Sequence, residues 1–437
     1  MTSECHIPEG YKKTEVGVVP EEWKIVELKE HAEQFIVPMR DKPKTFDGRV
    51  PWCRIEDFNG KYLYTSKSSR FVSDEVISSM NLRINPIGTV LCSCSAKLGI
   101  CAIVGQPLIT NQTFIGIVPK KTLDTEFLYY LMGSYAHRLQ MLSTGTTIAY
   151  LPRENFERFL IVRPPLPEQH KIASILSKVD EHISHTEAII EKTEELKKGL
   201  MQQLLTKGIG HTKFKTFEFK GVKMQIPVEW DISSIEAHLI DYKSGAPLSP
   251  NDFSDSGCIV FPKKAVVRGG VFKIDSCEQT YAKDDFAQIY SKSIVNRSYL
   301  ITTLRDLVPT GPNIGLIVKI TDDKEYLLAQ GVYGFRLNAS LSEKFLIQLS
   351  NSQFYRQIMN KIMVGSTQVH IRNSDFFNVK IPLPPLSEQQ KIASILSKID
   401  DHISQNQTYL SHLQELKKGL MQDLLTGKVR VGIGTNH

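Results

Sequence analysis

PPLPEQHKIASILSKVDEHI, at residues 164–183, and PPLSEQQKIASILSKIDDHI, at residues 384–403, are near copies of one segment that lie 220 residues apart. The likeness extends over residues 164–206 and 384–426, where 28 of 43 positions are identical. The sequences between the copies are dissimilar, so one long segment serves twice beside two different neighbours. We therefore expect a chain of two halves built on one plan.

Each copy predicts a long helix that begins just after its Pro-Pro pair. Ser387 opens a capping box in the second copy, and Pro167 is compatible with the first turn of a helix in the first. About forty residues later the chain reaches Gly208 or Gly427, which suit a helix end. Each copy is therefore predicted to be a single helix of this length.

Apolar residues in both predicted helices recur in steps of three and four, which is coiled-coil spacing. Alone in water, each helix would expose a long apolar stripe, so each is expected to bury the other. Chain connectivity makes the pair antiparallel, and its length is roughly 60 Å. Thr186 and Asn406 are polar at equivalent positions, where polar groups can fix the register. The predicted seam residues are Ile172, Leu176, Val179, Ile183, Ile190, Leu200, Ile392, Leu396, Ile399, Ile403, Asn406, Leu410 and Leu420.

A weaker repeat aligns Trp23 with Trp230, each just before a variable region. Both variable regions alternate short β-type runs with turn residues and a few amphipathic stretches. We predict an α+β fold of two β-rich domains separated by two long helices, which form an antiparallel coiled coil with pseudo-two-fold symmetry. The predicted segments are a first domain at 1–163, a spacer helix at 164–207, a second domain at 208–383, a spacer helix at 384–427 and a tail at 428–437.

Composition indicates a folded protein of more than one domain, with 437 residues of which 41% are hydrophobic and 23% charged. No apolar run approaches the roughly eighteen residues of a membrane span, and the start MTSECHIPEG lacks the parts of a signal peptide, so we expect a cytoplasmic protein. The net charge is +6, and because the repeated helices carry −2 and −1, the rest of the chain carries +9. This distribution favours a polyanion as a partner of the domains.

The seven cysteines are odd in number and scattered, which argues against a disulfide framework. Cys92 and Cys94 are two apart in a predicted strand and would share one face, with Cys101 nearby. A zinc site would need a fourth ligand at suitable spacing, and the sequence offers none close by. We expect plain thiols and no metal site.

Several segments resemble the specificity subunits of type I restriction-modification systems: TEVGVVPEEWKIVELKE, TGTTIAYLPRENFERFLIVRPPLPEQHKIASIL and ELKKGLMQQLLT. The second half repeats the pattern in VGSTQVHIRNSDFFNVKIPLPPLSEQQKIASIL, so the resemblance spans essentially the whole chain. It implies that each β-rich region is a target-recognition domain for one half of a split site in double-stranded DNA. It also implies that the helices set the gap between the half-sites and hold two modification (methyltransferase) subunits. Restriction (translocase and nuclease) subunits would join them in a bacterial or archaeal cytoplasm.

Base edges are read by polar and basic side chains that project from loops and from the ends of strands and helices. In the first domain the predicted DNA-facing residues are Arg54, Ser93, Ser95, Lys97, Asn111, Gln112, Thr113, Thr146, Thr147, Tyr150 and Arg153. In the second they are Lys263, Lys264, Arg268, Thr303, Arg305, Asn313, Gln330, Tyr333, Thr367, Gln368, His370 and Arg372. The rival interpretation of each is a solvated surface residue or a turn hydrogen bond.

Some repeated polar positions have two interpretations. Residues 145–147 and 365–367 could grip a phosphate, or they could form a tight turn before the last strands. The Glu-Gln pairs at 168–169 and 388–389 are expected to shape the helix starts. Lysines in the helices are expected on a solvated face, with DNA contact as the alternative. They are Lys197, Lys198, Lys417 and Lys418.

The sequence predicts no catalytic residues. The Pro-Pro pairs follow Arg163 and Leu383, not the Asn or Asp of amino-methyltransferases, and there is no Gly-x-Gly-x-x-Gly loop. We expect the chain to bind no cofactor, and S-adenosylmethionine, ATP and Mg²⁺ to bind the partner subunits.

Two alternatives stay open. The chain could be a coiled-coil structural or adaptor protein whose β-rich domains bind other proteins. It could also be the specificity module of a restriction system in which methylase and nuclease are fused in one polypeptide.

Overall fold

The computed structural model describes residues 7–39, 41–95, 97–143, 150–270, 272–274 and 277–432. The chain divides into two compact units, which we call unit 1 (residues 1–187 and 409–437) and unit 2 (residues 188–408). The division falls inside the two long helices and not at their ends, where the sequence segments were drawn. Each unit is thus one β-rich half of the chain together with a part of each long helix.

Unit 1 is built on a sheet with helices against it. Its strands are β1 (Tyr11–Thr14), β2 (Gly17–Pro20), β3 (Lys24–Glu27), β4 (Ala32–Ile36), β5 (Val50–Cys53), β6 (Tyr62–Leu63), β7 (Phe71–Val72), β8 (Val90–Ser93), β9 (Cys101–Val104), β10 (Ile109–Thr110), β11 (Phe114–Pro119) and β12 (Leu160–Arg163). Its helices are α1 (Asp74–Ser79), α2 (Thr125–Ser134), α3 (Ala136–Met141), α4 (Arg153–Glu157) and the first part of α5 (Leu166–Lys207). The main sheet has the order β4-β11-β8-β9-β6, and a smaller sheet has the order β10-β5-β7.

The helices of unit 1 begin where capping side chains allow. The Asp124 carboxylate accepts a hydrogen bond from the Phe127 amide at 2.8 Å and so starts α2, which packs on β8 and β9. Phe127, Leu128 and Leu131 of α2 are buried in the core of the unit. The amphipathic stretch predicted here as one helix is two, α2 and α3, which meet at Tyr135.

The predicted strand through Cys92 and Cys94 is shorter than expected. β8 ends at Ser93, and the chain turns back into β9, where Cys101 faces Cys92 with 3.4 Å between the Sγ atoms. In the part of the chain that the structure describes, no group of His, Cys, Asp and Glu side chains is arranged to hold a metal ion. Nor does any helix among those residues combine the length and apolar content needed to cross a bilayer.

Unit 2 repeats this plan with different details. Its strands are β13 (Phe214–Phe219), β14 (Val222–Pro227), β15 (Asp231–Ser234), β16 (Leu239–Ser244), β17 (Phe253–Ser254), β18 (Cys258–Ile259), β19 (Tyr281–Ala282), β20 (Ile294–Val295), β21 (Leu300–Thr303), β22 (Arg305–Asp306), β23 (Ile317–Lys319), β24 (Tyr326–Leu327), β25 (Val332–Leu337), β26 (Val369–His370) and β27 (Lys380–Leu383). Its helices are α6 (Asp284–Ile289), α7 (Glu343–Ser350), α8 (Gln353–Ile362), α9 (Asn373–Phe377) and the first part of α10 (Leu386–Leu424). The antiparallel main sheet has the order β16-β25-β21-β23.

The two long helices run in opposite directions within each unit. In unit 1, Ile172 and Leu176 near the start of α5 share the hydrophobic core with Leu424 at the end of α10. In unit 2, Leu204 near the end of α5 shares the core with Ile392 and Leu396 near the start of α10. Four of the predicted seam residues therefore pack into the domain cores. Val179 is also buried, and the remaining seam residues are half-buried: Ile183, Ile190, Leu200, Ile399, Ile403, Asn406, Leu410 and Leu420.

Ion pairs join the helices at matching positions. In unit 1 the Lys417 ammonium lies 2.6 Å from the Asp180 carboxylate, which also accepts a hydrogen bond from the Tyr130 hydroxyl at 2.7 Å. In unit 2 Lys197 pairs with Asp400, which accepts one from the Gln348 side-chain amide at 2.8 Å. The expectation of solvated lysines is therefore wrong for Lys197 and Lys417, because each meets a carboxylate of the other helix.

A buried carboxylate ties the start of α5 to distant parts of unit 1. Glu168 is fully buried and accepts a hydrogen bond from the Trp23 indole N–H at 3.0 Å. Arg430, beyond the end of α10, donates to both oxygens of Glu168 at 2.8 and 3.1 Å. Gln169 donates to the Pro164 carbonyl at 2.8 Å. We call Trp23, Glu168 and Arg430 the unit 1 clamp.

Unit 2 contains the equivalent arrangement. Glu388, at the start of α10, accepts a hydrogen bond from the Trp230 indole N–H at 3.0 Å and lies 3.0 Å from His211 Nε2. His211 follows the end of α5 as Arg430 follows the end of α10. Gly208 has φ +66°, and a Cβ there would lie 2.5 Å from Glu388 and 2.8 Å from Trp230, so only glycine fits this approach. We call Trp230, Glu388 and His211 the unit 2 clamp.

Replacing a clamp carboxylate should destabilise its unit. Glu168→Ala is expected to lower the free energy of unfolding by about 2–4 kcal/mol in urea denaturation, because it leaves the buried Trp23 N–H unpaired and a cavity beside it. The matched control is Glu22→Ala, since Glu22 contacts the same Arg430 from the surface with 69% of its side chain exposed. That control should cost less than about 1 kcal/mol. Equal losses in the two variants would contradict a structural role for the buried carboxylate.

Candidate nucleic-acid interface

A loop between β8 and β9 brings several predicted DNA-facing residues of unit 1 together. The Cys94 amide donates to the Thr113 carbonyl at 2.8 Å, and the Leu151 amide donates to the Cys94 carbonyl at 2.8 Å. Ser95 forms an isolated bridge with Tyr150. The loop therefore lies between residues 111–113 and the segment that precedes α4.

Ser93 holds this loop from within. Its side chain is fully buried, and its hydroxyl donates to the Lys97 carbonyl at 2.5 Å and accepts from the Ile100 amide at 3.0 Å. We had predicted Ser93 as DNA-facing, and in this structure its hydroxyl is turned inward and engaged. Lys97 itself is exposed at the outside of the loop.

Arg54 and Asn111 lie side by side because the strands before them run parallel. β5 ends at Cys53 and its neighbour β10 ends at Thr110, with Cys53 paired with Thr110. The Asn111 amide donates to the Cys53 carbonyl at 3.2 Å, and Asn111 Oδ1 accepts from the Thr113 hydroxyl at 2.7 Å. Gln112 is exposed between them. The structure thus brings Arg54 and residues 111–113 to one edge of unit 1.

The other predictions in the first domain have less support. Arg153 is the first residue of α4, and its Nε donates to the Glu157 carboxylate at 2.6 Å on the surface. Thr146 and Thr147 lie outside the described residues. Their role stays a prediction.

In unit 2 the predicted residues converge around Arg305. β22 pairs with β26 so that Arg305 lies opposite His370, and the Arg305 guanidinium donates to the Gln330 side-chain oxygen at 3.3 Å. The Leu304 amide donates to the Gly331 carbonyl at 2.8 Å, which fixes the loop before β25 beside β22. A Cβ at Gly331 would lie 2.8 Å from Arg305 Cβ, so glycine permits this close approach.

Electrostatics link further residues to this cluster. Partial burial of the Lys263 ammonium, and then the nearby charge of Arg305, lowers the pKa of Lys263. Burial raises the pKa of Tyr333, which follows Val332 at the start of β25. Lys263, Arg305, Gln330, Tyr333 and His370 therefore form one polar surface with a net positive charge.

The remaining predictions of the second domain are spread around this surface. Thr303 is buried and its hydroxyl donates to the Arg305 carbonyl at 3.1 Å, so it supports the backbone and does not face outward. Thr367 and Gln368 are exposed in the turn that leads into β26, and Arg372 is exposed just after it. Exposed Lys264 and Arg268 lie on the segment after β18, and the Asn313 carbonyl accepts from the Leu316 amide in a turn.

Sequence reasoning missed one aromatic residue at this surface. Tyr242 on β16 is 48% exposed, and its ring lies 5.1 Å from the ring of Phe377. Its hydroxyl lies close enough to Tyr333 to influence the pKa of that residue. The alternation of exposed and half-buried residues along β16 is the signal that could have identified it.

Comparisons with known proteins agree on one family. The sequence model of the type I restriction modification DNA specificity domain matches residues 20–195 and 227–415. The type I restriction enzyme MjaVIII specificity subunit of Methanocaldococcus jannaschii is 28% identical over 97% of this chain and 96% of that protein. The MjaIX specificity subunit of the same organism is 26% identical over 96% of each chain. The crystal structure of the S subunit from M. genitalium superposes with a TM-score of 0.57 at 15% identity, over 92% of this chain and 96% of that one. The last match bears on the fold alone, and it agrees with the predicted α+β architecture.

The position of Ser93 leads to a test of the loop. Ser93→Ala should lower the free energy of unfolding by about 1–2 kcal/mol and speed hydrogen exchange in residues 97–100, because two buried hydrogen bonds are lost. Ser95→Ala is the matched control, and it should change the free energy of unfolding by less than about 0.5 kcal/mol. If both variants behave alike, Ser93 does not hold the loop.

Proposed function

Because the chain belongs to the family of type I restriction-modification DNA specificity subunits, we propose that unit 1 and unit 2 each read one half of a split site in double-stranded DNA. The observation that carries this proposal is that the family's DNA specificity domain occurs twice, once on each unit. The two units offer different polar surfaces. Unit 1 offers Arg54 with residues 111–113, and unit 2 offers the surface around Arg305. Different arrangements of donors and acceptors select different bases, so the two half-sites should be unlike.

We propose that the helices set the gap between the half-sites. α5 has 42 residues and is shared by both units, as is α10. A helix is stiff along its axis and has a fixed rise per residue, so a shared pair can act as a ruler. The gap would then depend on helix length and not on base contacts.

The chain works with DNA and with other subunits of a restriction-modification assembly, and we propose that two copies of one methyltransferase are among them. The support is the repetition of exposed leucines at equivalent positions. Leu196 on α5 is 56% exposed and Leu416 on α10 is 51% exposed, and they are 220 residues apart. A large apolar side chain repeated on the surface of both helices is suited to binding the same partner twice.

We further propose that the chain is not itself catalytic. S-adenosylmethionine, ATP and Mg²⁺ would bind the methyltransferase and restriction subunits, and the complex would act in a bacterial or archaeal cytoplasm. Of the two alternatives, the adaptor hypothesis offers no reason for the match to a DNA specificity domain in both halves. A fused methylase and nuclease would be recognised by a single gene in place of separate neighbours.

Lengthening both helices should lengthen the gap in the recognised site. Two heptads inserted between Glu187 and Ala188, and again between Thr408 and Tyr409, leave the contacts within each unit intact. They add about 21 Å, or about 6 base pairs, to the preferred gap. Methylation sequencing of a host that carries the variant and its methyltransferase would measure both half-sites and the gap.

The control for this experiment is insertion into α5 alone, which puts the helices out of register and should abolish methylation at any fixed gap. Altered half-sites with an unchanged gap would refute the ruler. A wild-type chain that directs methylation to an unsplit site would refute the proposed function.

Charge at the repeated leucines should remove methyltransferase copies one at a time. Leu196→Arg and Leu416→Arg should each leave one copy bound, and the double variant none, because a buried arginine is costly in an apolar contact. Native mass spectrometry at saturating methyltransferase counts the copies. Ile289→Arg is the control, since Ile289 is 76% exposed and lies on α6, outside the long helices. Two copies on the double variant would contradict this docking surface.

A further inference from the structure

Three basic side chains of unit 1 surround a pair of aromatic rings. The rings of Trp52 and Phe46 have centroids 5.5 Å apart. Arg70 Cζ lies 5.6 Å from the Trp52 centroid and 5.7 Å from that of Phe46. Lys42 Nζ lies 5.9 Å from both, and Arg54 Cζ lies 5.9 Å from Trp52. We call these five residues the Trp52 cluster.

The positive charge of the Trp52 cluster is only partly compensated. Arg54 pairs with Glu56, whereas Arg70 and Lys42 have no carboxylate within ion-pair distance among the residues that the structure describes. Arg54 Nε and Arg70 Nη1 are buried from solvent and have no hydrogen-bond acceptor in the described chain. A guanidinium nitrogen withdrawn from water without an acceptor is costly, and contact with a ring recovers only about 0.5–2 kcal/mol. An anion at this surface would satisfy these donors.

The Trp52 cluster lies next to the candidate DNA-reading edge of unit 1. The Trp52 amide donates to the Arg70 carbonyl at 2.9 Å, which joins the chain before β7 to β5. β5 in turn ends at Cys53, whose carbonyl accepts the Asn111 amide. A nucleic-acid strand whose bases contacted residues 111–113 would therefore carry its backbone close to the cluster.

We propose that Arg70 and Lys42 bind one backbone phosphate of the DNA that unit 1 reads, an assignment that rests on the proposed function. Arg70 lies against Trp52 and Phe46, and this packing limits the freedom of its guanidinium, so two N–H groups can meet two phosphate oxygens. Lys42, which is exposed, adds a second positive charge. Because every nucleotide carries the same phosphate, these two residues position unit 1 on the duplex without choosing its bases.

The test uses the full chain in complex with its methyltransferase and a duplex that carries the motif found by methylation sequencing. Arg70→Gln and Lys42→Gln should each weaken binding about tenfold near 0.1 M salt and reduce the slope of log Kd against log salt by about 1. The loss should be equal on the motif and on a scrambled duplex, and the methylated motif should not change. Arg70→Lys should fall between wild type and Arg70→Gln, because it keeps the charge and loses the fork.

The matched control is Lys121→Gln. Lys121 is exposed and lies beyond the far end of β11, the strand whose first residue, Phe114, pairs with Ser93. It should bind DNA with the wild-type affinity and salt dependence.

Two results would overturn the phosphate assignment. One is wild-type affinity and salt slope in both Arg70→Gln and Lys42→Gln, and the other is a changed motif with Arg70→Gln, which would mean that Arg70 reads a base. Thermal denaturation checks folding, and if Arg70→Gln does not fold, the exposed Lys42→Gln decides the question. A wild-type complex that does not distinguish the motif from a scrambled duplex would refute the proposed function instead, so the two failures can be told apart.

Discussion

The hydrogen bonds to two buried carboxylates fix the relation between the helices and the domain on which each begins. Glu168 and Glu388 each bind a tryptophan from the start of their own half and a basic residue from beyond the end of the other helix. A helix that slid by one turn would move by about 5.4 Å and break these bonds. The charged side chains that join the helices meet only because this register is held.

The structure combines a duplicated support with two different surfaces. The clamps and the ion pairs of Asp180 with Lys417 and of Lys197 with Asp400 are counterparts at an offset of 220 residues. The polar surfaces have no such correspondence, since unit 1 uses a loop between β8 and β9 and unit 2 uses the pairing of β22 with β26. The support is constrained because both halves must fit the same helices, whereas a surface loop is free to change.

The repeat and its apolar spacing were enough to predict the two long helices, their antiparallel direction and the α+β class. The clamps were not predictable, because Trp23 and Glu168 are 145 residues apart and only the fold brings them together. Ser93 and Thr303 show a second limit, since residue type does not reveal whether a hydroxyl turns inward to the backbone. The Trp52 cluster was missed because its members come from three separate stretches of sequence, none of which is distinctive alone.

The two units are completed at different times when the chain is synthesised. Unit 2 is one continuous stretch, residues 188–408, whereas unit 1 needs residues 409–437 as well as its own first 187. Leu424 and Leu425 belong to the core of unit 1, and Arg430 closes its clamp. Domains generally fold as units as they leave the ribosome, in order from the N-terminus. Here that order is reversed: the unit that starts first is finished last, and a prematurely terminated chain would have a complete second reader beside an unfinished first one.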